Sequence, residues 1–128
     1  MIAVDTSALI EIALDADLAE VCRLRLVDAE QVIISAGTLH EALVMAERRG
    51  LAGVIQDMLA TVRARVMPLD EPAARTAADA YARYGKGIHP ASLNLADCYA
   101  YALARSNACP LLYVGDDFDL TDVERALP

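Results

Sequence analysis

The sequence predicts an α/β layered fold, with a parallel sheet covered by helices on both faces. Three observations carry this. Short apolar runs, Ile2-Ala3-Val4, Gln31-Val32-Ile33-Ile34 and Pro110-Leu111-Leu112-Tyr113-Val114, recur between longer segments of helical character. Such runs suit parallel strands buried on both sides. The composition is 56% hydrophobic with five Tyr, one Phe and no Trp, so the core must be aliphatic. The length of 128 residues fits one domain over 1–128, without repeats or linkers.

Each element has its own signal. Ile2-Ala3-Val4 ends at Asp5 as a short strand, and residues 7–13 look helical. Asp15-Ala16-Asp17 offers a cap for a helix through about residue 27, with Leu18, Val21, Leu24 and Val27 on one stripe. After the strand at 31–34, a helix is expected over 37–49, ended by Gly50 with Arg48 and Arg49 in its last turn. A further helix is expected over 52–64 and a third strand over 65–69. Asp70 is an N-cap and Pro72 a first-turn residue for a helix to Tyr84. Gly85-Lys86-Gly87-Ile88-His89-Pro90 is the clearest loop; a helix from about Ser92 to Asn107 and a strand over 110–114 follow.

Charge and cysteine usage narrow the function. Nineteen acids against eleven basic residues give a net charge of -8, which does not favour long-range attraction to nucleic acid. A nucleic-acid enzyme of this balance needs a metal ion or a local cationic patch. No apolar stretch approaches the roughly 20 residues that span a bilayer. The N-terminal run lacks the basic stretch of an export signal. Cys22, Cys98 and Cys109 have no metal-ligand spacing and read as core residues of a cytoplasmic protein.

Several carboxylates stand in unusual places. Asp5 and the pair Asp116-Asp117 follow apolar strands. In a parallel sheet they fall on the carboxyl edge, where ligands of open α/β sheets bind. On a helix over 92–107, Asp97 has Leu93, Ala100, Tyr101 and Ala104 as neighbours, with Asn94 its one polar companion. A lone acid there is costly unless it is paired, hydrogen-bonded or near a cation. Glu41, with Thr38, Val44 and Met45 around it, has a similar setting. Taken singly, Asp5 reads equally well as a helix cap, Glu41 and Asp97 as first-turn acids, and Asp116-Asp117 as a turn. Taken together, four acids at one sheet end call for a divalent cation. Oxygen ligands select Mg²⁺ or Mn²⁺, which activates water and stabilises an in-line phosphoryl displacement.

The ordered set of motifs resembles the PIN-domain ribonucleases, and more narrowly the VapC toxin family of type II toxin–antitoxin systems. The matching segments are Val4-Asp5-Thr6-Ser7-Ala8-Leu9, Glu41, Tyr84 through Asn94, Asp97-Cys98, Pro110 through Phe118, and Thr121-Asp122. The resemblance implies a three-layer sandwich whose central, mainly parallel sheet is flanked by helices. It implies a Mg²⁺-dependent endoribonuclease, with Mn²⁺ able to substitute, leaving a 3′-hydroxyl and a 5′-phosphate. By that resemblance Asp5 and Asp97 hold the metal and Glu41 supports them. The fourth acid falls in Gly115-Asp116-Asp117-Phe118, where Asp117 is favoured over Asp116. Ala96 stands where relatives usually carry Gly, a change that should matter little. Partners implied are RNA, a VapB-like antitoxin and a second copy of the chain. An acidic site of this kind is open to blockade by an antitoxin Arg, delivered from an apolar groove beside it.

The remaining residues carry weaker signals. Thr6, Lys86 and Asn94 are expected at the substrate, Lys86 as a point charge for a phosphate. Thr6 and Ser7 suit capping of the first helix, with orientation of Asp5 or contact with a phosphate as the alternative. His40-Glu41 lacks the second His of a metalloprotease helix, because position 44 is Val. A phospho-acceptor receiver domain fails on residues: Asp5 stands alone and the only Lys lies in a mid-chain loop. From another class, a non-catalytic interaction module of the same fold is the alternative.

Overall fold

Strand β1 (Ile2–Val4) lies inside a four-stranded sheet of order β3-β2-β1-β4. Its neighbours are β2 (Val32–Ser35) and β4 (Leu111–Leu112), and β3 (Arg65–Met67) forms the edge beyond β2. Every pairing is parallel, with Ala3 opposite both Ile33 and Leu111. The computed structural model describes residues 1–128.

Alternation along the strands divides the core into two layers. Ile2, Val4, Val32, Ile34 and Leu112 face α1 (Thr6–Ala13), α2 (Ala19–Asp28), α3 (Ala36–Glu47) and α4 (Ala52–Thr61). Ala3, Ile33 and Leu111 face α5 (Glu71–Tyr84) and α6 (Leu95–Ser106). This is the three-layer, PIN-like α/β sandwich that the sequence predicts. Small residues on the second face, Ala77, Ala80, Ala100 and Ala104, let α5 and α6 pack closely. Asp70 caps α5 as expected, accepting from the Ala73 amide at 3.1 Å.

Several local expectations need correction. The stripe Leu18, Val21, Leu24, Val27 packs only Val21 against the core and leaves Leu18, Leu24 and Val27 as surplus apolar surface, while α2 buries Ala19, Cys22 and Leu26. Leu24 is 51% and Val27 66% exposed. The helix is apolar on more than one side, so packing against α1 decided which side went in. Asp15 takes a left-handed φ of 50° and Leu18, not Asp17, is the N-cap. The Leu18 amide donates to the Glu11 side chain at 3.0 Å. Helix α3 ends at Glu47, so Arg48 is its cap rather than a last-turn residue. Helix α6 begins at Leu95, because Ser92 is left-handed and Leu93 makes a bridge with Gly85. Strand β4 spans two residues where five were expected, and its outer edge is covered by a bridge between Leu111 and Arg125.

Candidate active site

The chain leaves β1 towards β2 on one side, and β4 returns on the other. The boundary between β1 and β4 is therefore a topological switch point, where parallel sheets open a crevice. Asp5 stands directly at it. It is 4% exposed and is the N-cap of α1. Its Oδ2 accepts from the Ser7 amide at 3.0 Å and from the Ser7 hydroxyl at 2.6 Å. The Ser7 hydroxyl in turn accepts from the Val114 amide at 3.0 Å, which ties the β1 corner to the exit of β4. Capping and site placement are thus one geometry, since the cap uses one carboxylate oxygen and leaves the other. Asp5 Oδ1 is buried without any partner, one of three such side-chain atoms in the chain.

Asp97 lies in the first turn of α6, half-buried. It closes a capping box with Asn94: Asp97 Oδ2 accepts from the Asn94 amide at 3.0 Å, and Asn94 Oδ1 accepts from the Asp97 amide at 2.8 Å. Glu41, also half-buried, sits in the second turn of α3 and so is no first-turn acid. Gly37 explains how α3 comes near α6. A Cβ at that position would stand 2.5 Å from the Tyr99 ring, so only glycine permits the approach. Asp116 and Asp117 are exposed in the loop after β4.

Electrostatics links these acids. Burial pushes Asp5 up to about 6, opposed by the Ser7 hydrogen bonds and reinforced by Glu41. Burial also pushes Asp97 up to about 6, against the Asn94 hydrogen bond, with Asp5, Asp117 and Glu41 adding repulsion. None of the six ion pairs of the chain involves Asp5, Glu41, Asp97 or Asp117.

The fit of a cation is a matter of ligand count. No three His, Cys, Asp or Glu side chains converge into a ready-made metal-holding group. Mg²⁺ asks for less, since it keeps several waters and is commonly held by one or two carboxylates. An orphaned buried carboxylate oxygen at Asp5 and a second desolvated acid at Asp97 meet that requirement.

The three residues expected at the substrate fare differently. Thr6 is 4% exposed and its hydroxyl donates to the Thr38 carbonyl at 3.3 Å, so it ties α1 to α3. Asn94 spends its side-chain oxygen on the α6 cap. Thr6 thus has its hydroxyl committed within the fold, while the side-chain nitrogen of Asn94 makes no hydrogen bond within the chain. Lys86 is exposed in the loop between α5 and α6 and belongs to no ion pair. Sequence reasoning missed Ser7 as the bridge between two sheet ends, and only the hydroxyl two residues after Asp5 hinted at it.

The chain is a parallel α/β sandwich with a desolvated, cation-free acid at its switch point. The PIN domain family model matches residues 2–124, and the chain belongs to that family, within its VapC ribonuclease branch. A Ribonuclease VapC of Mycolicibacterium smegmatis is 41% identical over 123 residues, covering 94% of this chain and 95% of the relative. Ribonuclease VapC42 of Mycobacterium tuberculosis is 38% identical over 127 residues, covering 96% and 97%. The crystal structure of Mycobacterium tuberculosis VapC20, a Sarcin-Ricin loop cleaving toxin, superimposes with a TM-score of 0.79 over all of both chains at 18% identity. A toxin–antitoxin complex from Klebsiella pneumoniae gives 0.71 at 19% identity, covering 95% of this chain and 93% of that one. These two structural likenesses concern the fold.

Proposed function

We propose that this chain, acting as one PIN domain, is the divalent-metal-dependent endoribonuclease toxin of a toxin–antitoxin module. The observation that carries the reading is the buried, unpartnered Oδ1 of Asp5 beside a second desolvated acid, with no protein cation to neutralise either. Asp5 and Asp97 would hold Mg²⁺ or Mn²⁺, supported by Glu41 and Asp117. Bound there, the ion supplies activated water and charge stabilisation for hydrolysis of an RNA phosphodiester. Ser7 orients Asp5 by fixing Oδ2, which directs Oδ1 into the crevice. The Asn94 cap does the same for Asp97. Lys86 offers a point charge to an RNA phosphate, a local cation on an otherwise acidic chain.

The partner is a VapB-like antitoxin, and the toxin works in the cytoplasm as a homodimer. Inhibition follows from charge: an antitoxin Arg would fork onto two carboxylates and take the cation's place. An apolar groove of about 250 Å³ lies between α1, α2 and α4, lined by Ile12, Leu26, Val27, Val54 and Met58. None of the four acids lines it. The groove is therefore not beside the site, because Ile12 is seven residues along α1 from Asp5, about 10 Å on a helical rise. An antitoxin seated there must extend that far to deliver its Arg.

The test is cleavage of total cellular RNA by purified protein with Mg²⁺, Mn²⁺ or EDTA, with fragment ends mapped. Cleavage with 5′-phosphate ends, lost in EDTA and in Asp5→Asn, is expected. Cutting that survives EDTA undiminished would sink the metal reading. RNA left intact under both ions would favour a non-catalytic module.

A further inference from the structure

Asp117 is exposed in the loop that leaves Val114, whose amide is tied through the Ser7 hydroxyl to Asp5 at 3.0 and 2.6 Å, and its charge reaches Asp97. Gly115 turns with a left-handed φ of 93°, and one hydrogen bond, from the Asp119 amide to the Asp116 carbonyl at 3.1 Å, closes the turn. The Phe118 carbonyl accepts from the Thr121 amide at 3.0 Å and from the Thr121 hydroxyl at 2.7 Å, and the remaining ties run through side chains. Phe118 is buried against the Tyr113 ring, centroids 5.0 Å apart. The Tyr113 hydroxyl donates to Asp119 Oδ1 at 2.7 Å. The Arg125 guanidinium lies 4.7 Å from the centre of the Tyr113 ring and 3.9 Å from Asp119 Oδ1. Arg125 is itself anchored, because its backbone bridges Leu111 of β4.

We propose that Tyr113, Asp119 and Arg125 form a clasp whose role is to position Asp117 at the metal site. The clasp rests on the four-acid reading above and adds residues that touch neither metal nor RNA. Tyr113 is the central member. It is 2% exposed, directly follows β4, and presents its hydroxyl to the loop's far end. The near end is fixed separately, by the Val114 amide donating to the Ser7 hydroxyl. Asp116 and Asp117 lie between two fixed ends. An acid on a free loop would lose conformational entropy on meeting a cation, whereas a clasped one has already lost it. Outer groups that orient a metal site commonly account for 10–100-fold in affinity.

Tyr113→Phe removes the hydroxyl and keeps the ring against Phe118 and Arg125. In the metal-free protein, amide exchange across 115–119 should quicken several-fold while the amides of β1 and β2 stay as protected as before. Mn²⁺ affinity, measured by calorimetry without RNA, should fall about tenfold. Asp119→Asn keeps an acceptor for Tyr113 and should bind Mn²⁺ nearly as the parent does. Asp119→Ala should match Tyr113→Phe, and as a surface change it leaves the core intact. Tyr113→Phe made in an Asp117→Asn background should add no further loss. Parental Mn²⁺ affinity in Tyr113→Phe, or an equal loss with and without Asp117, would overturn the clasp alone. Parental affinity in Asp117→Asn itself would overturn both the clasp and the place of Asp117 in the site.

Discussion

Two groups of acids in this chain meet opposite fates. Asp122 is surrounded by partners: the Tyr101 hydroxyl donates to it, and Arg83 and Arg105 approach its Oδ2 at 3.4 and 3.6 Å. The Tyr101 hydrogen bond, with help from the two Arg side chains, holds its carboxyl below the usual range. Asp5 and Asp97 have no Arg or Lys near them, and both are pushed up to about 6 by burial. The chain has ten Arg residues and one Lys, yet spends none on the crevice. Acids that serve structure are neutralised from within, whereas these are left for something from outside. That contrast, more than the count of acids, marks the site.

The sharpest way to break the contrast is to neutralise one acid of each group. Asp5→Asn and Asp97→Asn should each lower RNA cleavage by about 10³-fold or more, because each removes a ligand of the cation that would activate water and stabilise the reacting phosphate. Asp122→Asn should leave cleavage within about twofold of the parent and register in stability instead. Loss of its charge weakens the hydrogen bond of the Tyr101 hydroxyl, at about 1–2 kcal/mol in urea unfolding. Equal losses of cleavage from both groups would mean that Asp122 belongs to the site.

Acidity gives a second separation, because the two groups have opposite signs. Asp5 and Asp97 titrate near 6 in the folded, metal-free protein and near 3.8 in the unfolded chain. Between those values the folded state binds more protons, so stability falls as pH rises from about 4 to 6. Asp122 is depressed, so its contribution is present above its unfolded value and is lost on acidification. Melting temperature in EDTA should therefore rise more on going from pH 7 to 5 in the parent than in the Asp5→Asn, Asp97→Asn double variant. Mg²⁺ at pH 7 should raise the parent's melting temperature and leave the double variant unmoved. Identical pH profiles in the two proteins would show that the crevice acids are not desolvated.

Much of this was legible in the sequence, for reasons that differ by residue. Strand β1 and Asp5 were readable because an apolar run that stops at an acid has few other meanings, and Asp70 because a cap followed by Pro72 marks a helix start. The acids themselves could be picked out, but not how they are held. Asp97 is legible as an acid on an apolar face, and its neighbours Ala100, Tyr101 and Ala104 are indeed buried. With the helix starting at Leu95, it is also the third residue of the helix and closes the capping box begun by Asn94. The stripe on α2 is legible as apolar, but the buried face is not, because Val21, Leu24 and Val27 compete with Cys22 and Leu26 at similar spacing. Local pattern does not rank faces of equal hydropathy; the neighbour α1 does. The Leu111–Arg125 bridge involves too short a run to show any period.

The smallest effect separates the two jobs of Asp97. Its Oδ2 accepts from the Asn94 amide, which is capping, while its charge serves the crevice. Asp97→Asn keeps an acceptor oxygen in the same place and removes the charge. Without metal at pH 7 it should melt at or above the parent, although it no longer cleaves RNA. Asp97→Ala removes charge and cap together, so both variants share any gain from relieved repulsion. The difference between them is the cap alone, about 1 kcal/mol, or about 4 °C for a domain of this size. Differential scanning calorimetry of the three proteins in EDTA measures it. If Asn and Ala melt together, the capping box contributes nothing and Asp97 is held in place by packing. If Asn melts several degrees below the parent, the carboxylate charge itself stabilises α6, and Asp97 then resembles Asp122 more than Asp5.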